Sequence, residues 1–278
     1  MSDVDIQSPQ NPLVKTFRLA ASHSKRSPRE LVLAEGVRIL EVALASRHRI
    51  RAAILETSFG EAGRERSVVA KLRESGVPIH RASGRLIRSI ADVVQPQGIL
   101  ALVEVPHIGL EKAVLPPDGI VVCACGISDP GNLGTLIRTA AAAGVAIFCT
   151  TKTTVSARSP KTVRATAGAF FNSNIVEGVA PSDFLRFCRQ RKLSVYRTDA
   201  KQGREYDCVD LRKPLAVLLG NEAHGLGGRD WPDVPALRIP ISDEVESLNV
   251  GTAGAVILFE ALRQRRFRER KVKDPEVR

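Results

Sequence analysis

Three short stretches of the 278-residue chain gather glycine, asparagine and charged side chains directly after apolar runs. The first is Asp129-Pro130-Gly131-Asn132-Leu133-Gly134-Thr135-Leu136-Ile137-Arg138. The second is Leu219-Gly220-Asn221-Glu222-Ala223-His224-Gly225-Leu226-Gly227-Gly228. The third is Ile239-Pro240-Ile241, followed by Glu246-Ser247-Leu248-Asn249-Val250-Gly251. In an open α/β sheet, ligands bind beyond the carboxyl ends of the strands, so three such loops can converge on one ligand. Familiar signatures are absent. Gly126, Gly131 and Gly134 have the wrong intervals for GxGxxG, and no GxxxxGK[ST], GxSxG or HExxH occurs. The five histidines are scattered, with only His224 inside the three stretches, so no metal site is expected.

The elements that must carry these loops follow from the apolar pattern. In the second half, strands are expected at Gly119–Cys125, Val145–Thr150, Leu193–Thr198 and Pro214–Leu219, with a short extended Leu237–Ile239. Helices are expected at Leu133–Ala143, Pro181–Arg191 and Asn249–Phe267. The first half has the same alternation. Asn11-Pro12 opens a helix to about Ala21. Strands at Leu31–Ala34, Ile50–Leu55, Val77–His80 and Ile99–Val103 are interleaved with helices at Gly36–Ser46, Arg64–Glu74 and Ser83–Ala91. Pro106–Asp118 contains three prolines and few periodic apolar positions, which predicts two α/β domains, 1–106 and 118–278, around a linker at 107–117.

Charge points to a polyanion. The formal net charge is +11. Residues 1–106 hold 16 basic and 11 acidic side chains, and Glu260–Lys273 holds seven basic and two acidic. Nucleic acid is one partner that fits, and a small anionic substrate is the other. Aromatics are 4% of the chain, so RNA contact would rest on phosphate and shape more than on base stacking. The five cysteines form no CxxC pair, and Cys123 and Cys125 sit in an apolar run, as buried strand cysteines would. The N-terminus lacks a signal-peptide core and no run approaches about 18 apolar residues, so a cytoplasmic, membrane-free protein is expected.

The three stretches together resemble the signature motifs of SpoU-type (TrmH-like) RNA 2′-O-ribose methyltransferases of the SPOUT superfamily. Asn132 with Arg138 is similar to the first motif, Gly220-Asn221-Glu222 with Gly225 to the second, and Ile239-Pro240-Ile241 with Ser247-Leu248-Asn249-Val250 to the third. Lys161–Ala169 is similar to the segment between the first two, with Thr166 where the family usually has Ser. In the first half, Ser8–Lys15, Ala34–Arg38 and Gln97–Ala101 are similar to the family's L30e-like substrate-binding domain.

The resemblance implies a small L30e-like α/β domain followed by a SPOUT α/β domain with a C-terminal trefoil knot. It implies S-adenosylmethionine as methyl donor, ribosomal RNA as substrate with transfer RNA as runner-up, and a homodimer formed through the catalytic domain. Gly220, Ile239 and Leu248 would surround the donor's adenine. A non-catalytic RNA-binding protein that kept the fold is the alternative, and the intact motif residues speak against it. The chemistry assigns roles to five side chains. A ribose 2′-hydroxyl is a poor nucleophile unless its developing negative charge is stabilised. Arg138 can hold a phosphate bidentately and place positive charge beside the 2′-oxygen. The family often casts this residue as general base, yet a guanidinium holds its proton to above about pH 12. Asn132 would cap a helix or bind the ribose. Glu222 would orient Arg138 or Asn132, or bind the acceptor. Ser247 and Asn249 would cap the last helix, contact the acceptor, or both. The basic stretch Arg263–Lys273 is a phosphate-contact candidate or a solvated helix end.

Overall fold

The computed structural model describes residues 3–273, apart from Lys25, Ala62, residues 221–225 and 227–230, and Pro232. The first part of the chain runs β1 (Val4–Ile6), α1 (Pro12–Ser22), β2 (Leu31–Glu35), α2 (Val37–Ala45), β3 (Arg49–Glu56), α3 (Gly63–Glu74), β4 (Ile79–Ala82), α4 (Gly84–Arg88) and β5 (Ile99–Glu104). The second part runs β6 (Ile120–Cys125), α5 (Pro130–Ala142), β7 (Ile147–Thr151), α6 (Pro160–Ala165), β8 (Ile175–Val179), α7 (Pro181–Gln190), β9 (Ser194–Thr198), β10 (Arg204–Glu205), β11 (Leu215–Gly220), β12 (Ala236–Arg238) and α8 (Val250–Lys273).

Two compact units form. The first comprises residues 1–107 together with 158–172, and the second 108–157 together with 173–278. The boundary expected at 106 therefore omits α6 and the turns after it, which group with the first unit. The expected linker is not bare chain either. Residues Leu110–Lys112 make a 3-10 turn, and Leu110 and Ala113 are buried in the core of the second unit.

In the first unit a five-stranded sheet has the order β1-β4-β3-β5-β2. Strands β1, β4 and β3 are parallel, and β5 runs antiparallel to both β3 and β2. Asn11 caps α1 as expected, its Oδ1 accepting from the Leu13 N–H at 2.8 Å. Phe17 from α1 packs with Leu33, Ile54, Leu100 and Leu102 from the strands. Strand β1 is an addition to the expected elements. It is three residues long and mostly exposed, too short for a period to show. Beside it Asp3 binds Arg81 at 2.8 Å and Arg73 at 3.1 Å. Within this unit Glu35 is buried and meets Arg164 of α6 at 3.1 Å, while the same guanidinium reaches Asp92 at 3.1 Å. Burial pushes the Glu35 carboxyl above its ordinary value despite that cation.

The second unit holds a seven-stranded, wholly parallel sheet of order β10-β12-β9-β11-β6-β7-β8. Parallel strands are covered on both faces and so read as continuous apolar runs. Every residue of β6 is buried, as are Leu215–Leu219 of β11. Cys123, Cys125, Cys149 and Cys188 belong to this core, and Cys208 is exposed. Helices α5 and α8 pack on each other. Their crossing is close because Gly254 faces Leu136, where an added Cβ would lie 2.4 Å from Cδ1.

Candidate active site

A cavity of about 500 Å³ opens at the carboxyl ends of β9, β11 and β12. Its apolar wall includes Leu219, Leu237, Ile239, Leu248 and Ile257. Gly220 ends β11 at the rim, and Ser247 faces the cavity from the chain leading into α8. The three residues expected around the donor, Gly220, Ile239 and Leu248, thus line one space, with Ser247 beside them. The size suits a nucleoside-bearing ligand. Apolar side chains at strand ends suit the flat face of a purine.

One wall escaped the sequence reading. Thr198, Asp199, Ala200, Lys201 and Gln202, directly after β9, also line the cavity. Asp199 shapes this loop. Its Oδ1 accepts from the N–H groups of Lys201 and Gln202, both at 3.0 Å, and its Oδ2 from Arg197 at 2.6 Å. Burial would raise this carboxyl, but the hydrogen bonds from Lys201, Arg197 and Gln202 outweigh it and hold the group below its ordinary value. The loop closes at Gly203, whose φ is +113°, and an added Cβ there would lie 2.4 Å from the Ala236 carbonyl oxygen. The pattern was present in the sequence: an Asp bonding the backbone two and three residues on, then glycine, is turn chemistry.

The first motif meets the third through a side-chain pair. Asn249 Nδ2 donates to Asn132 Oδ1 at 2.8 Å. The Oδ1 of Asn249 accepts from the N–H groups of Gly251 and Thr252 at 2.9 and 3.3 Å, so one side chain caps α8 and reaches α5. For Asn132, the capping role is overturned. Helix α5 starts earlier than expected, at Pro130, and its cap is Asp129, whose Oδ1 accepts from the Asn132 N–H at 2.7 Å. The Asn132 side chain instead accepts from Asn249.

Asn132, Thr135 and Arg138 follow one i, i+3, i+6 ridge of α5. Asn132 is half-buried and the other two are exposed. The first turns of α8 lie along this ridge, with Asn249 at Asn132 and Gly251 against Thr135. Arg138 stands about 9 Å along the axis from Asn132, and long helical side chains lean toward the helix N-terminus. Among the described residues no hydrogen bond or ion pair engages its guanidinium. Arg138, Asn132 and Asn249 do not line the cavity itself. Glu222, like His224, lies outside the described residues.

The basic stretch at the end of α8 divides. Arg263 pairs with Glu260 at 2.7 Å. Arg265 donates to the carbonyl oxygens of Lys213 at 2.8 Å and of Asp118, which ties the helix to the body of the unit. These two arginines are engaged within the protein, and Arg266 is exposed.

A parallel sheet with a nucleoside-sized cavity at its strand ends, next to a polar joint between the starts of α5 and α8, fits an α/β enzyme that uses a nucleoside-bearing cofactor. The SpoU rRNA Methylase family matches residues 119–259, and the MRM3-like substrate binding domain matches residues 11–101. The chain belongs to the SpoU rRNA methylase family. It is 31% identical over 268 residues to an uncharacterized tRNA/rRNA methyltransferase of Synechocystis, covering 95% of each chain. It is 27% identical to the 23S rRNA (guanosine(2553)-2′-O)-methyltransferase of Bacillus subtilis, over 91% of this chain and 97% of that one. Among solved structures it is similar to the AdoMet-bound rRNA methyltransferase of Sinorhizobium meliloti, with a TM-score of 0.81, 29% identity, and coverage of 93% of this chain and 97% of that one.

Proposed function

We propose that this protein transfers the methyl group of S-adenosylmethionine to a ribose 2′-oxygen of ribosomal RNA. The observation that carries the proposal is the joint of Asn132 and Asn249, which ties the ridge bearing Arg138 to the chain that walls the donor-sized cavity. S-adenosylmethionine supplies a methyl carbon already made electrophilic by its sulfonium. Gly220, Ile239 and Leu248 hold the adenine against the ends of β11 and β12. Arg138 grips the phosphate next to the target ribose and lowers the cost of negative charge on the 2′-oxygen. Asn132 and Asn249 fix the ribose outside the cavity, and Ser247 lines the cavity two residues before Asn249. Glu222 belongs to this reading as a carboxylate that orients Arg138 or Asn132, or binds the acceptor.

Two further assignments come with it. The protein is a homodimer through its catalytic unit, supported by Phe259, which is 46% exposed on α8 beside the half-buried Val256 and Leu262. The C-terminal chain forms a trefoil knot, supported by the insertion of β12 between β10 and β9 and the return of α8 onto α5. The proposed place of action is the cytoplasm. Among the described residues no helix is long and apolar enough to cross a membrane.

The test pairs two measurements on Arg138→Ala. Methyl transfer into ribosomal RNA should be lost, while donor binding by calorimetry stays within about twofold of the parent. Loss of donor binding would overturn the role of Arg138. Mapping 2′-O-methyl positions in cells with and without the gene then identifies the nucleotide, and a site that vanishes from transfer RNA instead would replace the substrate.

A further inference from the structure

The cavity carries more charge than adenosine needs. Among the described residues that line it, Asp199, Lys201 and Glu246 are the charged ones. Asp199 is spent on its own loop, through the Lys201 and Gln202 N–H groups and Arg197. The side chains of Lys201 and Glu246 enter no ion pair or hydrogen bond among the described residues. They are nonetheless placed by built turns. The Asp199 bond at 3.0 Å fixes the backbone at Lys201. On the other side, the Val245 N–H donates to the Ser242 carbonyl at 3.1 Å, and the turn delivers Glu246 to the cavity. A cation and an anion, both exposed, thus line the same cavity as the apolar wall of Leu219, Leu237, Ile239, Leu248 and Ile257.

Such a pair complements a zwitterion attached to an apolar body. We propose that Lys201 binds the α-carboxylate and Glu246 the α-ammonium of the methyl donor's amino-acid moiety; this rests on the assignment of the cavity to S-adenosylmethionine. Each contact is a charge-assisted hydrogen bond, stronger than its neutral counterpart. The apolar wall takes the adenosine, and the two charges fix the far end of the ligand. Together they set the direction in which the methyl group points. Glu246 would add attraction for the sulfonium, which lies between the two ends of the molecule.

The test is calorimetric binding by the full-length chain of S-adenosylhomocysteine and of 5′-methylthioadenosine, which keeps adenosine and thioether but lacks the amino acid. Lys201→Ala and Glu246→Gln should each weaken S-adenosylhomocysteine by about tenfold. Binding of 5′-methylthioadenosine should change by less than about twofold, and Lys201→Arg should restore most of the loss. Equal weakening of both ligands would overturn the proposal, since it would show that the substitutions deform the cavity. So would unchanged binding of both by the variants, which would leave the donor assignment standing. If the parent protein binds neither ligand, the donor assignment fails and takes this proposal with it.

Discussion

Asn249 does two jobs with one amide, and the two can be separated. Its Oδ1 caps α8 through Gly251 and Thr252, and its Nδ2 holds Asn132. Asn249→Ala removes both, and should cost about 1 kcal/mol through the cap alone. Asn249→Asp keeps the acceptor but replaces the donor with a second oxygen facing Asn132 Oδ1. Thermal unfolding of this variant should stay near the parent while methyl transfer at saturating donor falls by at least about tenfold. Full activity would show that the joint is structural only. At this scale the motif residues were legible because polar side chains after apolar runs have few structural uses. What could not be read was which neighbour each would choose. Asn132 could cap by residue type, but Asp129 stands three residues earlier and takes that bond.

The loop after β9 shows what the apolar pattern hides at the scale of an element. Strand and helix positions repeat with a period, so β6, β11 and the start of α8 are placed to within a residue, while α8 runs six residues past its expected end. Short edge strands such as β1 and β10 carry no period and were missed, as was β8. The Asp199 turn left only local chemistry as its trace. Its dependence on pH follows from its direction of shift. A carboxyl held below its unfolded value, taken as 3.8, contributes stability that is fully present above that value. The contribution is lost as pH falls through the lowered folded value. The difference in unfolding temperature between the parent and Asp199→Asn should therefore be constant above about pH 5 and shrink below about pH 4. A difference unchanged down to about pH 3 would mean that the carboxylate charge does not hold the loop.

Over the whole molecule, the basic excess becomes selective once the internal partners are known. Arg263 and Arg265 are occupied within the second unit, and Arg164 by Glu35 and Asp92 within the first. Residues beyond Arg266 add Arg268, Arg270, Lys271, Lys273 and Arg278. If they reach phosphate, a chain ending at Arg266 should bind RNA with a shallower dependence on salt. The slope should fall by about 0.7 to 0.9 for each phosphate that the shortened chain no longer neutralises. An unchanged slope would make the stretch a solvated helix end. The division into two α/β bodies was legible from the rhythm of strands and helices. That residues 158–172 group with the first body was not, because periodicity reports which face is apolar and never what covers it.

The cysteines give this chain a built-in report of its own integrity. Cys123, Cys125, Cys149 and Cys188 lie within the parallel sheet and its covering helix, and burial pushes Cys188 up to about 12 and also raises Cys123 and Cys149 above the ordinary thiol value. All four sulfurs are buried, so they are out of reach of electrophiles while the sheet is closed. Cys208 alone stands in solvent, slowed by the negative charge of Asp207. A folded molecule therefore offers one sulfur to a colorimetric reagent and an opened one offers five, so that a simple titration counts broken molecules without any RNA or methyl donor present.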